Sequence, residues 1–279
     1  MPSGARRAGH MQGGEPTDSA ALVWFRRDLR DYDHAALHAA LEAHRAVHCA
    51  FVFDTEILDA LDSNTDRRVT FIWECVRELK AALEARGGGL HVLRGRARDE
   101  IPRLAGSLCV SAVYANRDYE PQALERDAEI AQRLREGGID FRTRKDQVIF
   151  ELDEVRTRSG DAFSVFTPYK RAWLAKLEPR HIAPLEIKRL APRLAPAPAG
   201  PMPALEALRF ERAEPQLPAG MSGGARLWKA FRKRLAGYAE RRDFPALAAT
   251  SQLSVHLRFG TVSVRELVRY ARARDSAGA

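Results

Sequence analysis

Short apolar runs alternate with helical patterns through about the first 150 residues of the chain. Four of these runs predict buried strands, and they lie at residues 21–25, 46–53, 90–93 and 110–114. Amphipathic periodicity predicts helices between them, at residues 34–44, 67–86, 97–105 and 121–136. Strands that alternate with helices pair in parallel through right-handed crossovers. The pattern therefore predicts an α/β fold with a doubly wound parallel sheet, and residues 140–151 predict one further strand or two short ones.

The pattern changes after the predicted sheet. Thr167 and Pro168 predict the N-cap and first position of a short helix. Residues 184–221 hold eight of the fifteen prolines, so they predict a stiff, largely extended connector. Beyond it, residues 224–240 predict a helix with one apolar stripe, formed by Leu227, Phe231, Leu235 and Tyr238. A capping-box pattern of Ser263 and Glu266 predicts a last helix that runs to about residue 273.

These patterns predict four segments. They are a disordered tail at 1–19, the α/β domain at 20–150, a connector at 151–222 that is Pro-rich from 184, and an incomplete helical domain at 223–279. The last segment has too little apolar material to fold alone. We expect it to dock on the α/β domain or to need a continuation that this chain lacks.

Composition and charge narrow the function classes. The chain is 45% apolar and 29% charged, which excludes disorder throughout, and no apolar run is long enough to span a membrane. We expect a soluble, cytoplasmic monomer. The net charge of +8 lies in the segment from residue 223 onward, where twelve arginines and lysines face four acids. This predicts a polyanion partner, with nucleic acid the leading candidate; the alternative is that these side chains form solvated helix faces.

Two sequence features suggest small-ligand sites. His34, His38, His44 and His48 are spaced by four, but no Cys, Asp or Glu cluster completes a ligand set, so we predict ordinary helix positions and no metal. Residues 250–254 read Thr-Ser-Gln-Leu-Ser just before a predicted helix start. Hydroxyls and free amides at that position can hold a pyrophosphate, although an ordinary capping loop has the same residues. Gly-rich phosphate loops of the usual kinds are missing.

Several phrases in the chain resemble the DNA photolyase and cryptochrome family. The first is Trp-Phe-Arg-Arg-Asp-Leu-Arg at residues 24–30, followed by Asp33, Ala36 and Leu37. Others are residues 116–120, the Phe-Thr-Pro-Tyr run at 166–169 with Trp173, and the long segment 238–260. The resemblance covers residues 21–274, interrupted by the connector. The charged turn at 26–30 follows a strand directly, where open α/β sheets bind ligands, although a salt-bridged surface turn would explain it equally well.

The resemblance implies a class I type cyclobutane pyrimidine dimer photolyase. It implies an antenna-type, Rossmann-like α/β domain, a linker and the first helices of an all-α FAD-binding domain. The implied activity is that of a deoxyribodipyrimidine photo-lyase, a carbon–carbon lyase that splits dimers in DNA with light. By similarity, FAD contacts come from Tyr238, Thr250, Ser251, Gln252, Leu253 and Ser254. Arg242 would meet a DNA phosphate, and Gln252 replaces an arginine that is common there.

The resemblance also shows departures. Gln122 and Ala123 stand where folate-binding members carry Asn-Glu, so we expect a deazaflavin antenna or an empty antenna site rather than folate. The family's later helices have no counterpart here, and we predict no catalytic residue within this chain. We therefore expect a C-terminally truncated protein that binds FAD weakly or not at all and does not repair dimers alone. The alternatives are a cryptochrome-type photosensor and a non-enzymatic nucleotide- or chromophore-binding module with a basic nucleic-acid-binding tail.

Overall fold

A computed structural model describes residues 17–198 and 200–277 and contains a five-stranded parallel sheet. Its strands are β1 (Thr17–Phe25), β2 (His44–Asp54), β3 (His91–Gly95), β4 (Ala112–Asn116) and β5 (Asp140–Arg144). The strand order is β3-β2-β1-β4-β5, and every neighbouring pair is parallel. The predicted α/β fold with a doubly wound parallel sheet is confirmed. A single strand forms where residues 140–151 predicted one or two.

The four predicted helices follow the strands, and one short helix at Thr55–Leu58 was not predicted. They are α1 (Ala35–Ala43), α2 (Thr55–Leu58), α3 (Arg67–Ala85), α4 (Ala97–Ser107) and α5 (Pro121–Glu136). Helix α5 begins at Pro121, which fits the first helical position because its missing N–H needs no partner there. Helix α1 ends before His44, so His44 and His48 lie in β2 and not in a helix as expected. Strand β1 begins at Thr17, inside the expected tail, and the rest of that tail (1–16) lies outside the described residues.

Apolar side chains cover both faces of the sheet. Val23, Cys49 and Phe51 pack on one face with helices α1 and α3. Leu22, Trp24 and the neighbouring residues pack on the other face with helices α4 and α5. Both faces are buried, as parallel sheets require, which explains why the strand sequences read as continuous apolar runs.

The proline-rich connector is not a free extended spacer. It forms 3-10 turns at Pro179–Ile182, Lys188–Arg193 and Glu206–Leu208. Its apolar side chains enter the core beside α1 and α3, and they are Ile187, Leu190, Leu194, Leu205, Leu208 and Phe210. Prolines shape this path without preventing burial, because each apolar residue between them gains free energy by leaving water. The connector therefore belongs to the α/β core.

Short helices make up the rest of the chain. They are α6 (Phe166–Lys176), α7 (Gly220–Arg232), α8 (Tyr238–Arg241), α9 (Ser254–Arg258) and α10 (Val264–Ala277). Helix α6 begins one residue before Thr167, with Val165 and not Thr167 as its N-cap. The last helix does begin after Ser263, whose Oγ accepts a hydrogen bond from the Glu266 amide at 3.3 Å. Within the described residues, no helix has the length and apolarity to cross a membrane.

The expected helix at 224–240 is broken. Helix α7 ends at Arg232, a 3-10 turn follows at Leu235–Gly237, and α8 begins at Tyr238. In a continuous helix, seven residues would separate Phe231 and Tyr238 by about 10 Å along the axis. The break instead brings their rings edge to face at 5.5 Å. Three consecutive basic residues at the end of α7, Arg232 to Arg234, and Gly237 after them weaken the helix locally.

The terminal segment docks on the α/β domain. Helix α7 packs on α3, where Glu78 accepts hydrogen bonds from the Ser222 amide at 2.9 Å and its hydroxyl at 3.1 Å. Val264 and Val268 of α10 pack against a small apolar cluster that contains Phe150 and Leu177. Of the two expectations for this segment, the structure shows the docked arrangement.

Candidate functional site

Side chains of the turn after β1 take part in a buried cluster of ion pairs. Arg30 donates to Asp146 at 2.6 Å, and Arg265 of α10 donates to the other oxygen of Asp146 at 2.8 Å. Arg265 also donates to Asp33 at 2.9 Å, and all four side chains are buried. Burial alone would raise the pKa of Asp146, but the charges of Arg30 and Arg265 hold it well below its ordinary value. The cluster thus joins the first strand's turn, the residues after β5 and the last helix.

A second buried group lies beside it. His34 Nε2 lies 3.0 Å from Asp28 Oδ2, and the Asn116 amide donates to the same oxygen at 2.7 Å. His34 also caps helix α1, because its Nδ1 accepts a hydrogen bond from the Leu37 amide at 3.0 Å. Burial would raise the pKa of Asp28, but His34 and the Arg26 amide lower it, and the net pKa lies below the ordinary value. These side chains fix the turn in one conformation.

The strand order reverses between β1 and β4, and open α/β sheets commonly bind ligands outside the strand ends at such a point. Here ion pairs occupy it. Arg26 binds Asp127 at 2.5 Å, and Arg27 binds Asp118 at 3.2 Å. Glu120 pairs with Arg27 and, at 2.7 Å, with Arg258 of α9. Hydrogen bonding from Arg27 is the main reason why the pKa of Glu120 falls to about 2.

The loop after α9 closes the same place. Gly260 has a φ of +62°, and a Cβ added to it would lie 2.3 Å from the Arg27 carbonyl oxygen. The Leu29 amide donates to the Phe259 carbonyl oxygen at 3.0 Å, and Arg30 donates to the Gly260 carbonyl oxygen at 3.0 Å. Of the two interpretations of the 26–30 turn, the structure favours the salt-bridged one. The turn anchors the C-terminal residues and is not an open ligand site.

The hydroxyl-rich turn at 250–254 has the opposite character. Thr250, Gln252 and Ser254 are exposed, Ser251 is half-buried and Leu253 is buried. Gln252 has a φ of +56°, a left-handed conformation that few residues other than glycine adopt. Ser251 Oγ accepts a hydrogen bond from the Leu253 amide at 3.3 Å. Among the described residues, the hydroxyls of Thr250 and Ser254 contact no hydrogen-bond partner, so they are available to a ligand.

Tyr238 and Arg242 lie together at the other end of this segment. The Arg242 guanidinium lies 5.8 Å from the centre of the Tyr238 ring, and its Nε lies 3.6 Å from Asp243. Tyr238 is half-buried against Phe231, whereas Arg242 is exposed. In the part of the chain that the structure describes, no hydrogen bond, ion pair or ring contact joins this pair to residues 250–254.

Comparison with known proteins agrees with this architecture. A sequence model of the DNA photolyase family matches residues 21–192, which is more than half of the chain. This chain belongs to the DNA photolyase family. It is similar to the deoxyribodipyrimidine photo-lyase of Synechococcus sp. (strain ATCC 27144), with 34% identity over 90% of this chain and 53% of that protein. The chain thus spans about half the length of that photolyase.

Solved photolyase structures share the fold. A bacterial class III photolyase from Agrobacterium tumefaciens superposes with a TM-score of 0.77 and 27% identity, over 95% of this chain and 54% of that one. An archaeal photolyase from Sulfolobus tokodaii, solved with two FAD molecules, gives a TM-score of 0.70 and 26% identity, over 91% of this chain and 55% of that one.

Within this photolyase fold, sequence reasoning missed one polar group of interest. Asp54, at the carboxyl end of β2, is buried, and its Oδ2 accepts no hydrogen bond from the described residues. The nearest cation, Arg126 Nη1, lies 3.9 Å away, and burial raises the pKa of Asp54. Arg126 and Arg26 stack on the Trp24 ring, at 4.9 Å and 4.5 Å from its centre. A buried strand that ends in Asp was the only sequence signal for this group.

The residues at the folate positions are on helix α5. Gln122 is exposed, whereas Ala123 is buried and carries no polar group. The second of the two positions, occupied by Ala123, therefore has no carboxylate. The neighbouring Glu120 is already engaged by Arg27 and Arg258.

Proposed function

We propose that this chain is a deoxyribodipyrimidine photo-lyase-like protein that provides FAD- and DNA-binding surfaces for the light-driven splitting of cyclobutane pyrimidine dimers. The observation that carries the proposal is the exposed, hydroxyl-lined turn at residues 250–254, in a chain that is similar to photolyases over most of its length. A purely structural capping loop would turn its hydroxyls toward its own backbone, and those of Thr250 and Ser254 are free to bind a ligand.

The residues present fit one wall of an FAD site. Thr250 and Ser254 offer neutral donors, and a left-handed residue such as Gln252 is common in the backbone turns that bind anions. Ser251 and Leu253 hold the turn, and Tyr238 provides a ring at the other end of the segment. A bound, reduced flavin supplies the light-excited electron that splits the dimer. The role of these residues is to bind and orient that cofactor.

The same wall is open to water. Phe244, Leu247 and Leu257 are exposed apolar side chains near the turn, at 60%, 49% and 41% exposure. A flavin held on this wall alone would stay in contact with solvent, which lowers affinity and leaves reactive states unprotected. We therefore expect weak FAD binding and no detectable repair by this chain alone.

DNA binding is the second part of the proposal. A photolyase takes the dimer out of the duplex before the reaction, and it holds the strand by phosphate contacts. Arg242 is exposed and its guanidinium lies over the Tyr238 ring, so it is accessible to a DNA phosphate. The excess of basic residues after position 223 supports such contacts.

We propose that the antenna chromophore is a deazaflavin and not a folate. Ala123 provides no polar group for a pterin. The orphaned carboxylate of Asp54 lies at the carboxyl edge of the sheet, where a polar ring could satisfy it. Fluorescence titration should show deazaflavin binding to the natural protein and a clear loss in the Asp54→Leu variant.

A paired titration tests the main proposal. Purified protein is titrated with FAD and, in its presence, with oligonucleotides that contain or lack a thymine dimer. We expect saturable flavin binding with a Kd above about 10 μM and tighter binding of the dimer-containing strand. Equal affinity for both strands together with no flavin binding would instead support a non-enzymatic nucleic-acid-binding module. Flavin that co-purifies at one equivalent, with light-dependent loss of dimers, would show that the open wall is sufficient and contradict our expectation of weakness.

A further inference from the structure

A small cavity lies beside the predicted flavin segment and contains none of its predicted contact residues. Its volume is about 370 Å³, which is within the range of small-ligand sites. The break between α7 and α8 forms one side, and the loop before the hydroxyl-rich turn forms the other. The lining residues are Arg234, Gly237, Arg241, Leu247, Ala248 and Ala249. Two arginines and an apolar wall line this cavity, and no acidic side chain does.

Arg234 is held in place at the cavity wall. Its guanidinium donates a hydrogen bond to the Ala248 carbonyl oxygen, which ties the loop to the break after α7. The side chain forms no ion pair among the residues that the structure describes. Because a guanidinium has five N–H donors, most remain available after this single bond. The loop thus fixes the position of a cation without neutralising it.

Arg241 forms the second cationic side. It is exposed, and no carboxylate within residues 17–198 and 200–277 lies in ion-pair distance of it. Its side chain bends over Gly237, where an added Cβ would come within 3.4 Å of Arg241 Nε. Neighbouring Arg242 differs, because its Nε lies 3.6 Å from Asp243. Arg241 is therefore the better placed of the two to bind an anion in the cavity.

We propose that this cavity binds one phosphate ester of a nucleic-acid strand. Two unpaired guanidiniums on one concave surface match the oxygens of a phosphate, and Leu247 with the two alanines provides an apolar surface for the attached sugar or base. The inference rests on the proposed function and deepens it, because it adds Arg234 and Arg241 to the DNA contacts predicted from sequence. The break that ends α7 early creates the cavity, so a continuous helix would not have it.

Charge placed inside the cavity gives the sharpest test. Leu247→Glu puts a carboxylate at the wall of the cavity that the two arginines line, and Leu247→Gln is its neutral, matched control at an exposed position. Binding of a fluorescein-labelled, undamaged single-stranded oligonucleotide is measured by anisotropy at several salt concentrations. We expect Leu247→Glu to raise Kd about tenfold or more and Leu247→Gln to change it less than about threefold.

Single arginine substitutions complete the experiment. Arg234→Gln and Arg241→Gln should each weaken binding about three- to tenfold and lower the salt slope by about one. Arg226→Gln removes another exposed charge, from α7 and outside this cavity, and its effect should stay below about threefold. Equal losses in all three variants would overturn the proposal in favour of a diffuse basic surface. Unfolding curves of each variant confirm that folding is intact.

A free nucleotide is the other source of the same chemistry. Titration calorimetry measures the affinity for inorganic phosphate and for adenosine monophosphate, and we expect neither to bind as tightly as the oligonucleotide. Tight mononucleotide binding that is lost in Arg241→Gln would overturn the strand assignment. The phosphate site and the proposed function can fail independently in these experiments. If the protein binds neither FAD nor dimers selectively while the Leu247 pair still differs, the function fails and the phosphate site stands.

Discussion

Two regions of this molecule are similarly rich in polar residues but have opposite environments. The turn at 26–34 and the segment at 238–258 are both rich in charged and hydrogen-bonding residues. In the first, Asp28, Arg30 and His34 are almost fully buried and paired. In the second, Arg241 and Ser254 are exposed and without partners among the described residues. The motif at the strand end serves as an anchor, and the ligand contacts that we propose lie on the segment that it anchors.

Electrostatics explain why the first region is fixed. A buried charge is tolerated only when it is paired and hydrogen-bonded. Asp146 has two guanidinium partners, from the β1 turn and from α10. Each partner comes from a different part of the chain, so the cluster forms only when the terminal helices are docked. The anchor and the docked position of residues 238–258 therefore depend on each other.

The largest expected effect comes from breaking this cluster. Asp146→Asn leaves Arg30 and Arg265 buried without their carboxylate, and we expect the free energy of unfolding to fall by about 3–5 kcal/mol. Urea denaturation measures it. The control is Asp153→Asn, which removes an exposed ion pair with Arg156 and should cost below about 1 kcal/mol. Similar losses in both variants would show that burial of the cluster adds nothing.

The contact at Gly260 tests the same anchor by shape. Gly260→Ala introduces a Cβ against the Arg27 carbonyl and a strained φ, so we expect a loss of about 2–4 kcal/mol in the free energy of unfolding. Gly138→Ala has the same strain, with a φ of +72° and open space around the added Cβ. That control should lose about 1–2 kcal/mol in thermal or urea unfolding. A control that loses as much as Gly260→Ala would exclude a role for the close contact.

Acid should weaken the anchor through its buried carboxylates. The folded pKa values of Asp28 and Asp146 lie below their ordinary value of 3.8. The unfolded chain therefore binds protons first, and the stability from these carboxylates is complete above about pH 4 and lost as the pH falls through the folded pKa. Burial also lowers the pKa of four histidines, so stability falls by a smaller amount below about pH 6.5. They are His44, His48, His91 and His256.

Urea unfolding at several pH values measures this dependence. We expect a steep fall in the free energy of unfolding between pH 4 and pH 3, by about 1–3 kcal/mol. Asp28→Asn should show a shallower fall over that interval because one titrating carboxylate is gone. Equal stability at pH 5 and pH 3 would contradict the account of the buried carboxylates.

The smallest expected effect lies in the open segment. Ser254→Ala removes one neutral hydroxyl, so we expect FAD affinity to fall about three- to tenfold, which is the size of one hydrogen bond. The unfolding free energy should stay within about 0.5 kcal/mol because the side chain is exposed. Flavin fluorescence titration measures the affinity, with Ser164→Ala as an exposed control far from the turn in sequence. An unchanged affinity in Ser254→Ala would remove this hydroxyl from the proposed site.

Local sequence signals predicted most of the α/β domain. Helix α5 forms over the residues predicted for it, from Pro121 to the glycine pair after Glu136, and α3 ends within one residue of its predicted end. These elements have periodic apolar faces and clear end signals, so little depends on distant residues. The resemblance of residues 24–30 to photolyases is also confirmed, because the sequence model of the DNA photolyase family matches residues 21–192.

Contacts between distant residues could not be predicted in the same way. The partners of Arg30 include Asp146 and the Gly260 carbonyl, and no periodicity indicates which remote residue meets a buried guanidinium. Leu205 and Leu208 lie among prolines that masked their burial in the core. The break after Arg232 brings Phe231 against Tyr238, a contact that helical periodicity does not predict. Arg234 and Arg241 were missed for that reason, because their cavity exists only in the broken arrangement.

Amide hydrogen exchange with and without FAD tests the contrast between the two regions most directly. The account predicts that residues 26–34 exchange slowly in both states, because their backbone is held by buried partners. Saturating FAD should slow exchange at residues 238–258 and leave 26–34 unchanged. Flavin-dependent protection at 26–34 and 116–120, with none at 238–258, would contradict the account and return the ligand site to the end of the strands.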